Sequence, residues 1–119
     1  MSNLTDAADD DYCYLTTTGR VSGRPHEIEI WFAVHENSLF MLAGAGTRSD
    51  WVRNVQEHPS VSVRVRDLTH VARGRVISDA TEERLARTML FDKYEPRNPG
   101  LTGWRESALP MAFDVDLDE

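Results

Sequence analysis

The sequence predicts a mainly β domain: six antiparallel strands closed into a small barrel, with two helices at its rim. Three observations predict it. Short apolar–polar alternations recur along the chain, separated by turn residues. Only two stretches carry the start signals and apolar spacing of helices. The chain has 119 residues, 40% hydrophobic and 28% charged, which is enough for one core and too few for two. Closing a sheet into a barrel removes its exposed edges, and the wall or mouth can then carry a ligand. Periodicity does not separate this barrel from an open α+β sheet.

The elements follow in order. Asp11–Thr18 is rich in β-formers and stops at Gly19. Gly19–Pro25 is a tight connection with two glycines and a proline. His26–Val34 reads as one strand, with Ile28, Ile30, Phe32 and Val34 on one face and Glu27, Glu29 and Trp31 on the other. His35–Ser38 turns the chain into Leu39–Ala43, which is apolar on both faces and so covered on both. Gly44-Ala45-Gly46 ends that strand. Thr47-Arg48-Ser49-Asp50 has the form of a capping box before Trp51, Val52 and Val55, which predicts a short helix ending before His58-Pro59.

Ser60–Arg66 alternates again, with Val61, Val63 and Val65 inward. Asp67-Leu68 is a turn and Thr69–Ser78 the next strand. Asp79, with Glu82 three residues on, starts the main helix, Ala80–Tyr94, whose apolar stripe is Leu85, Met89 and Leu90. Glu95–Ser107 reads as an irregular loop and Leu109–Val115 as the last strand.

The net charge of −7 belongs to the ends. Residues 1–11 hold four aspartates and residues 114–119 hold Asp114, Asp116, Asp118 and Glu119, with nothing basic in either stretch. Of the 20 acids, 12 then remain in the body against 13 basic residues. The organisation is thus one domain over residues 12–115 between acidic tails at 1–11 and 116–119. The acidity argues against nucleic acid as a partner, but not against a small anion that feels local charge. No apolar run approaches the roughly 20 residues that span a bilayer. The first residues have neither a basic start nor an apolar stretch, so no signal peptide is expected. Cys13 is the only cysteine, so the expected compartment is the reducing cytoplasm.

Three constellations are candidates for chemistry. Gly19–Pro25 offers glycine amides together with Arg20, Arg24 and His26, a set suited to a phosphate or carboxylate; the alternative is a plain turn with solvated arginines. In Ala43–Asn54, Gly44 and Gly46 let a ligand approach the backbone, a helix N-terminus offers free amides to an anion, and Trp51 in the first turn can pack on a planar ring. The alternative is a capped connector with a core tryptophan. Asp50 opposes an anion there unless its carboxylate is committed elsewhere. Trp31, on the polar face of its strand, suggests a covered patch under a ligand, a helix or a second subunit; the alternative is a scattered surface aromatic. Four histidines on separate segments and one cysteine give no metal-ligand spacing, and Cys13 reads as an inert core thiol. No nucleophile elbow or Walker loop is present in the sequence.

Leu15-Thr16-Thr17-Thr18-Gly19-Arg20-Val21-Ser22-Gly23-Arg24-Pro25 resembles the start of the deazaflavin-dependent nitroreductase family. Asp50-Trp51-Val52-Arg53-Asn54-Val55, then His58-Pro59 and Val61-Ser62-Val63, resembles that family's next segment. The helix start Thr81-Glu82-Glu83-Arg84 and the final Leu109-Pro110 fit in order, so the resemblance runs from Tyr12 to Val115. It implies a split β-barrel like that of FMN-binding oxidases, a reduced deazaflavin (coenzyme F420) as hydride donor, and a planar, electron-poor acceptor such as a quinone, nitroaromatic or enone. By the same resemblance Arg20 and Gly23 hold the coenzyme's phosphate side, Trp31 lies near its ring, Trp51 and Asn54 lie at the cofactor, and Ser49 and Asp50 present backbone amides. Val21 and Ala45-Gly46 stand where relatives often carry basic residues, which leaves Arg24 and Arg48 as the compensating cations and FMN or FAD as the alternative cofactors. Tyr94 and Trp104 are candidates to wall the substrate pocket, or else to cap the barrel end. A carrier that binds a flavin without catalysis is the rival reading, and a homodimer is expected from the outward barrel positions.

Overall fold

A computed structural model describes Leu4 and residues 7–116. Seven strands are present among the described residues: β1 (Cys13–Thr18), β2 (Pro25–Ile30), β3 (Ala33–His35), β4 (Ser38–Ala43), β5 (Ser60–Val65), β6 (Leu68–Val76) and β7 (Leu109–Val115). Three α-helices accompany them: α1 (Asp50–Glu57), α2 (Ala80–Tyr94) and α3 (Thr102–Ser107). The strands form one sheet in the order β2-β1-β5-β6-β7-β4-β3, with every pair antiparallel. The two edge strands, β2 and β3, are consecutive in the chain and separated only by Trp31 and Phe32. A sheet whose first and last strands are joined by two residues must curl back on itself, and the result is a half-barrel.

Six strands and two helices are therefore corrected to seven and three. His26–Val34 is two strands because the backbone of Phe32 bonds to α2 instead of to a neighbouring strand. Its N–H donates to Tyr94 Oη at 3.0 Å, and its carbonyl accepts from Lys93 Nζ at 2.8 Å. The Tyr94 hydroxyl lies 2.7 Å from the Asp11 carbonyl and 3.0 Å from that of Phe32. The second correction is α3, within the stretch read as loop. Arg87 holds it from α2, donating to the carbonyls of Arg105 at 2.6 Å and Ala108 at 2.9 Å. A 3-10 turn, Glu95–Arg97, lies in the same stretch.

The curled sheet has an apolar core on each side. Leu39 and Met41 of β4, Met111 and Phe113 of β7, and Val61, Val63 and Val65 of β5 fill the inside of the curl. Phe40 and Leu42 of β4 and Ala112 of β7 point the other way, under α2, against Ala86, Leu90 and Tyr94. So β4 is covered on both faces, as its unbroken apolar run requires. Leu4 and Ala7 are buried with the inner core. Asp10 and Asp11 pair with Arg66 and Arg97. The acidic stretch 1–11 is thus packed against the domain where it is described, whereas Asp6, Asp118 and Glu119 lie outside the described residues. No helix among the described residues is long and apolar enough to cross a membrane.

Helix α1 positions the site. Val52 and Val55 are buried in the inner core, and Gly74 of β6 makes the approach of Val55 possible. A Cβ at Gly74 would lie 2.6 Å from both the Phe113 ring and Val55. The helix is thereby seated against the sheet with Asp50, Trp51 and Asn54 turned toward the β1–β2 connection.

Candidate functional site

A groove of about 530 Å³ runs between that connection and the start of α1. Its polar floor is centred on Asn54, which is almost fully buried. Asn54 Oδ1 accepts the Arg20 backbone N–H at 3.1 Å and Arg20 Nη1 at 2.9 Å, while Nδ2 donates to Thr17 Oγ1 at 3.2 Å. Thr17 is likewise buried, at an inward position of β1 otherwise held by Cys13 and Leu15. One amide thus ties strand, loop and helix together. Arg20 continues outward, with Nη2 3.2 Å from Asp50 Oδ1 and Nη1 3.5 Å from the Asp50 carbonyl. Val21, Ile28 and Trp51 give the groove its apolar wall, and His26, Glu27 and Ser22 its rim.

The connection between β1 and β2 is locked by its own backbone. Gly19 N–H donates to the Arg24 carbonyl at 2.8 Å and Gly23 N–H to the Gly19 carbonyl at 2.9 Å. Gly23 takes a φ of +75°, a left-handed conformation that favours glycine. A Cβ at Gly19 would lie 2.7 Å from His26 Nε2 and 2.9 Å from Ser22 Oγ, so the imidazole covers that backbone directly.

The capping box does not form. Residues 46–48 make a 3-10 turn, and Ser49 caps α1 without a side-chain bond. The Asp50 carboxylate is committed to Arg20 instead, and Arg53 Nε holds the turn through the Thr47 carbonyl at 2.9 Å.

Of the sequence-predicted residues, Arg20, Asp50, Trp51 and Asn54 come together in the groove. Gly23 and Arg24 lie in the connection beside it. Arg48 and Ser49 lie on the turn before α1, with Arg48 exposed. Neither Arg24 nor Arg48 makes a side-chain hydrogen bond or ion pair with any described residue. The other four stand apart from the groove. Trp31 stacks on Tyr94, rings 4.3 Å apart and nearly parallel, and meets Trp104 edge-on at 5.6 Å. Trp31 is therefore covered by α2 and α3. Tyr94 is buried, and its hydroxyl is committed to Phe32 and Asp11. Gly44 is exposed beside Trp104, whose ring lies 3.9 Å from where a Cβ would be. Trp31 and Tyr94 line a shallow second hollow of about 260 Å³ with Tyr12 and Arg97.

Thr17, His26, Glu27 and Ile28 also line the groove, and only His26 stands out in the sequence. Thr17 leaves one signal, a polar residue on the inward register of a strand. Burial pushes the Cys13 thiol up to about 12, so it stays protonated and unreactive. No cluster of three or more His, Cys, Asp or Glu side chains forms a metal site among the described residues.

The family model for F420H(2)-dependent quinone reductase matches residues 5–98. The chain belongs to that family. Membership makes it a deazaflavin-dependent oxidoreductase. No curated protein matches it. Among solved structures it is similar to an F420-H2 dependent reductase, at 20% identity and a TM-score of 0.71, over 90% of this chain and 95% of that one. It is similar to a FAD-binding protein from Mesorhizobium loti, at 14% identity and a TM-score of 0.71, over 98% of this chain and 89% of that one. A domain-swapped dimer shares 21% identity and a TM-score of 0.72, over 91% of this chain and 81% of that one. At these identities the three structures establish the fold.

Proposed function

We propose that the groove between the β1–β2 connection and α1 binds reduced coenzyme F420, and that the enzyme delivers its hydride to a small planar acceptor, a quinone, nitroaromatic or enone. The observation that carries this is the convergence of Arg20, Asn54 and Trp51 in one groove: a fixed guanidinium beside a flat indole. The residues present fit an anionic, planar coenzyme. The groove volume suits a fused ring system, one wall is apolar, and Arg24 and Arg48 stand nearby without partners among the described residues. Bound there, the reduced deazaflavin supplies the hydride chemistry.

The chain supplies position and charge. Arg20 holds an anionic group, and Asn54 fixes Arg20 through two hydrogen bonds. Trp51 offers a flat wall that keeps water from one side. No side chain is needed as a nucleophile, and water serves wherever the acceptor takes up a proton. We further place the protein in the cytoplasm, on the strength of its single, buried thiol. We also propose a homodimer, supported by the exposed Leu68 and Val71 of β6 and by the domain-swapped relative; a monomeric mass by sedimentation would overturn it.

The test is titration with F420, FMN and FAD, followed by quenching of tryptophan fluorescence. Binding of F420 followed by its oxidation with a quinone panel is the expected result. Binding without oxidation supports the carrier, FMN or FAD in place of F420 supports a flavoprotein, and no quenching by any of them overturns the reading. Arg20→Ala should weaken coenzyme binding by about 1–3 kcal/mol, the usual loss when a charged hydrogen-bond donor is removed.

A further inference from the structure

We propose that Asp50 is a built-in competitor for the anion seat of the groove, so that an anionic ligand binds by displacing its carboxylate from Arg20. The proposal rests on the reading that this groove takes an anionic coenzyme, and adds the residue that sets its affinity.

The two ends of the Arg20 contact differ. On the inner side the guanidinium meets Asn54, which is buried and cannot leave. On the outer side it meets the Asp50 carboxylate through a single oxygen at 3.2 Å, with the Asp50 backbone carbonyl 3.5 Å from Nη1. The Arg20 side chain is 26% exposed and that of Asp50 83%. The same chain builds a tight pair elsewhere: Arg75 grips Glu82 with two bonds of 2.7 and 2.8 Å. Against that fork, the Arg20–Asp50 pair is long, one-toothed and open to water, the kind of ion pair that contributes little and exchanges readily. Arg20 Nε makes no hydrogen bond with a described residue, so the cation has further capacity toward a ligand. Asp50 is the first residue of α1, where its charge is favoured by the helix N-terminus whether or not it touches Arg20. Swinging away therefore costs the carboxylate little, and the displaced side chain remains close enough to repel the bound anion. Asp50 thus keeps Arg20 in place while the seat is free, and keeps the ligand exchangeable once it is bound.

The experiment titrates wild type, Asp50→Asn and Arg20→Ala with pyrophosphate and with F420, reading tryptophan fluorescence and the NMR shifts of the Asn54 side-chain amide. Thermal melting checks that all three are folded. Asp50→Asn should bind pyrophosphate about three- to tenfold more tightly, as expected for removing one exposed charge beside a multiply charged ligand. The gain should shrink as salt rises, and Arg20→Ala should lose binding. Equal or weaker binding by folded Asp50→Asn overturns the proposal, as does pyrophosphate that binds neither wild type nor Asp50→Asn. F420 binding without an Asp50 effect removes the competitor and leaves the proposed function standing. A pyrophosphate gain without F420 binding does the reverse.

Discussion

Asn54 is tightly constrained by its partners. Two donors from Arg20 converge on one of its side-chain atoms, so that atom is the oxygen, and the remaining NH2 must face Thr17. The group is almost wholly removed from water, where an unmatched polar atom is costly. Two substitutions separate its roles. Asn54→Leu keeps the volume and strands the Arg20 N–H and the Thr17 hydroxyl, so urea unfolding should show a loss of about 1–3 kcal/mol. Asn54→Asp keeps the acceptor for Arg20, and the Thr17 hydroxyl can rotate to donate. Its stability should fall less than that of the leucine variant, while the added charge weakens coenzyme binding. If the aspartate variant bound F420 as well as wild type, the groove would not be the anion site. The sequence places Asn54 near the cofactor only by resemblance; its buried partner is a threonine 37 residues earlier, and no local pattern announces that pair.

At the scale of elements, the bend between β2 and β3 shows where sequence pattern stops. Ile28, Ile30, Phe32 and Val34 keep the period of two straight through the break, because Phe32 still points into the inner core. Only the backbone has changed partners, and those partners lie 61 and 62 residues away on α2. Helix α2 itself was legible: Asp79 accepts from the Glu82 N–H at 2.8 Å, as the spacing requires. Helix α3 was not, since it has six residues, contains Gly103 and lacks a side-chain cap; Arg87 from another element holds it. The same distinction explains the aromatics. The place of Trp31 on a polar strand face suggests a cover, and the fold alone shows that Tyr94 and Trp104 provide it. Tyr94→Phe tests the hinge directly. It leaves the stack intact but deprives the buried Phe32 N–H of its acceptor and frees the Asp11 carbonyl. Stability should fall by about 1–3 kcal/mol in chemical unfolding, with amide exchange rising first at Phe32 and Ala33. An unchanged exchange rate there would show that the bend holds without α2.

At the scale of the whole molecule, the seam between the two cores carries the chain's only lysine. Lys93 Nζ lies 3.9 Å from the centre of the Phe32 ring and donates to the Phe32 carbonyl. Burial lowers its pKa from 10.5 to about 8, against the pull of Cys13 and of Asp9, Asp10 and Asp11. The folded protein therefore favours the neutral amine. Below about pH 8 both states are protonated and the fold bears the whole cost of the buried charge. Between about 8 and 10.5 the unfolded chain binds more protons than the folded one, so this group makes stability rise with pH. Cys13 and Tyr94 act in the opposite sense. Burial raises both pKa values, so unfolding releases their protons and stability falls as pH passes 9 and then 10. These three groups should consequently make wild type gain stability up to about pH 9, hold it between about 9 and 10, where Lys93 and Cys13 offset each other, and lose it above. Lys93→Met removes the rising limb and leaves the falling one. The informative quantity is the difference in unfolding free energy, wild type minus Lys93→Met, measured in urea across this range, in which the Cys13 and Tyr94 contributions cancel. It should grow in favour of wild type from pH 7.5 to 10. A difference that stays flat would mean that the ammonium is already fully hydrated, and that the aspartates around it, rather than the aromatic seam, decide how that end of the half-barrel is closed.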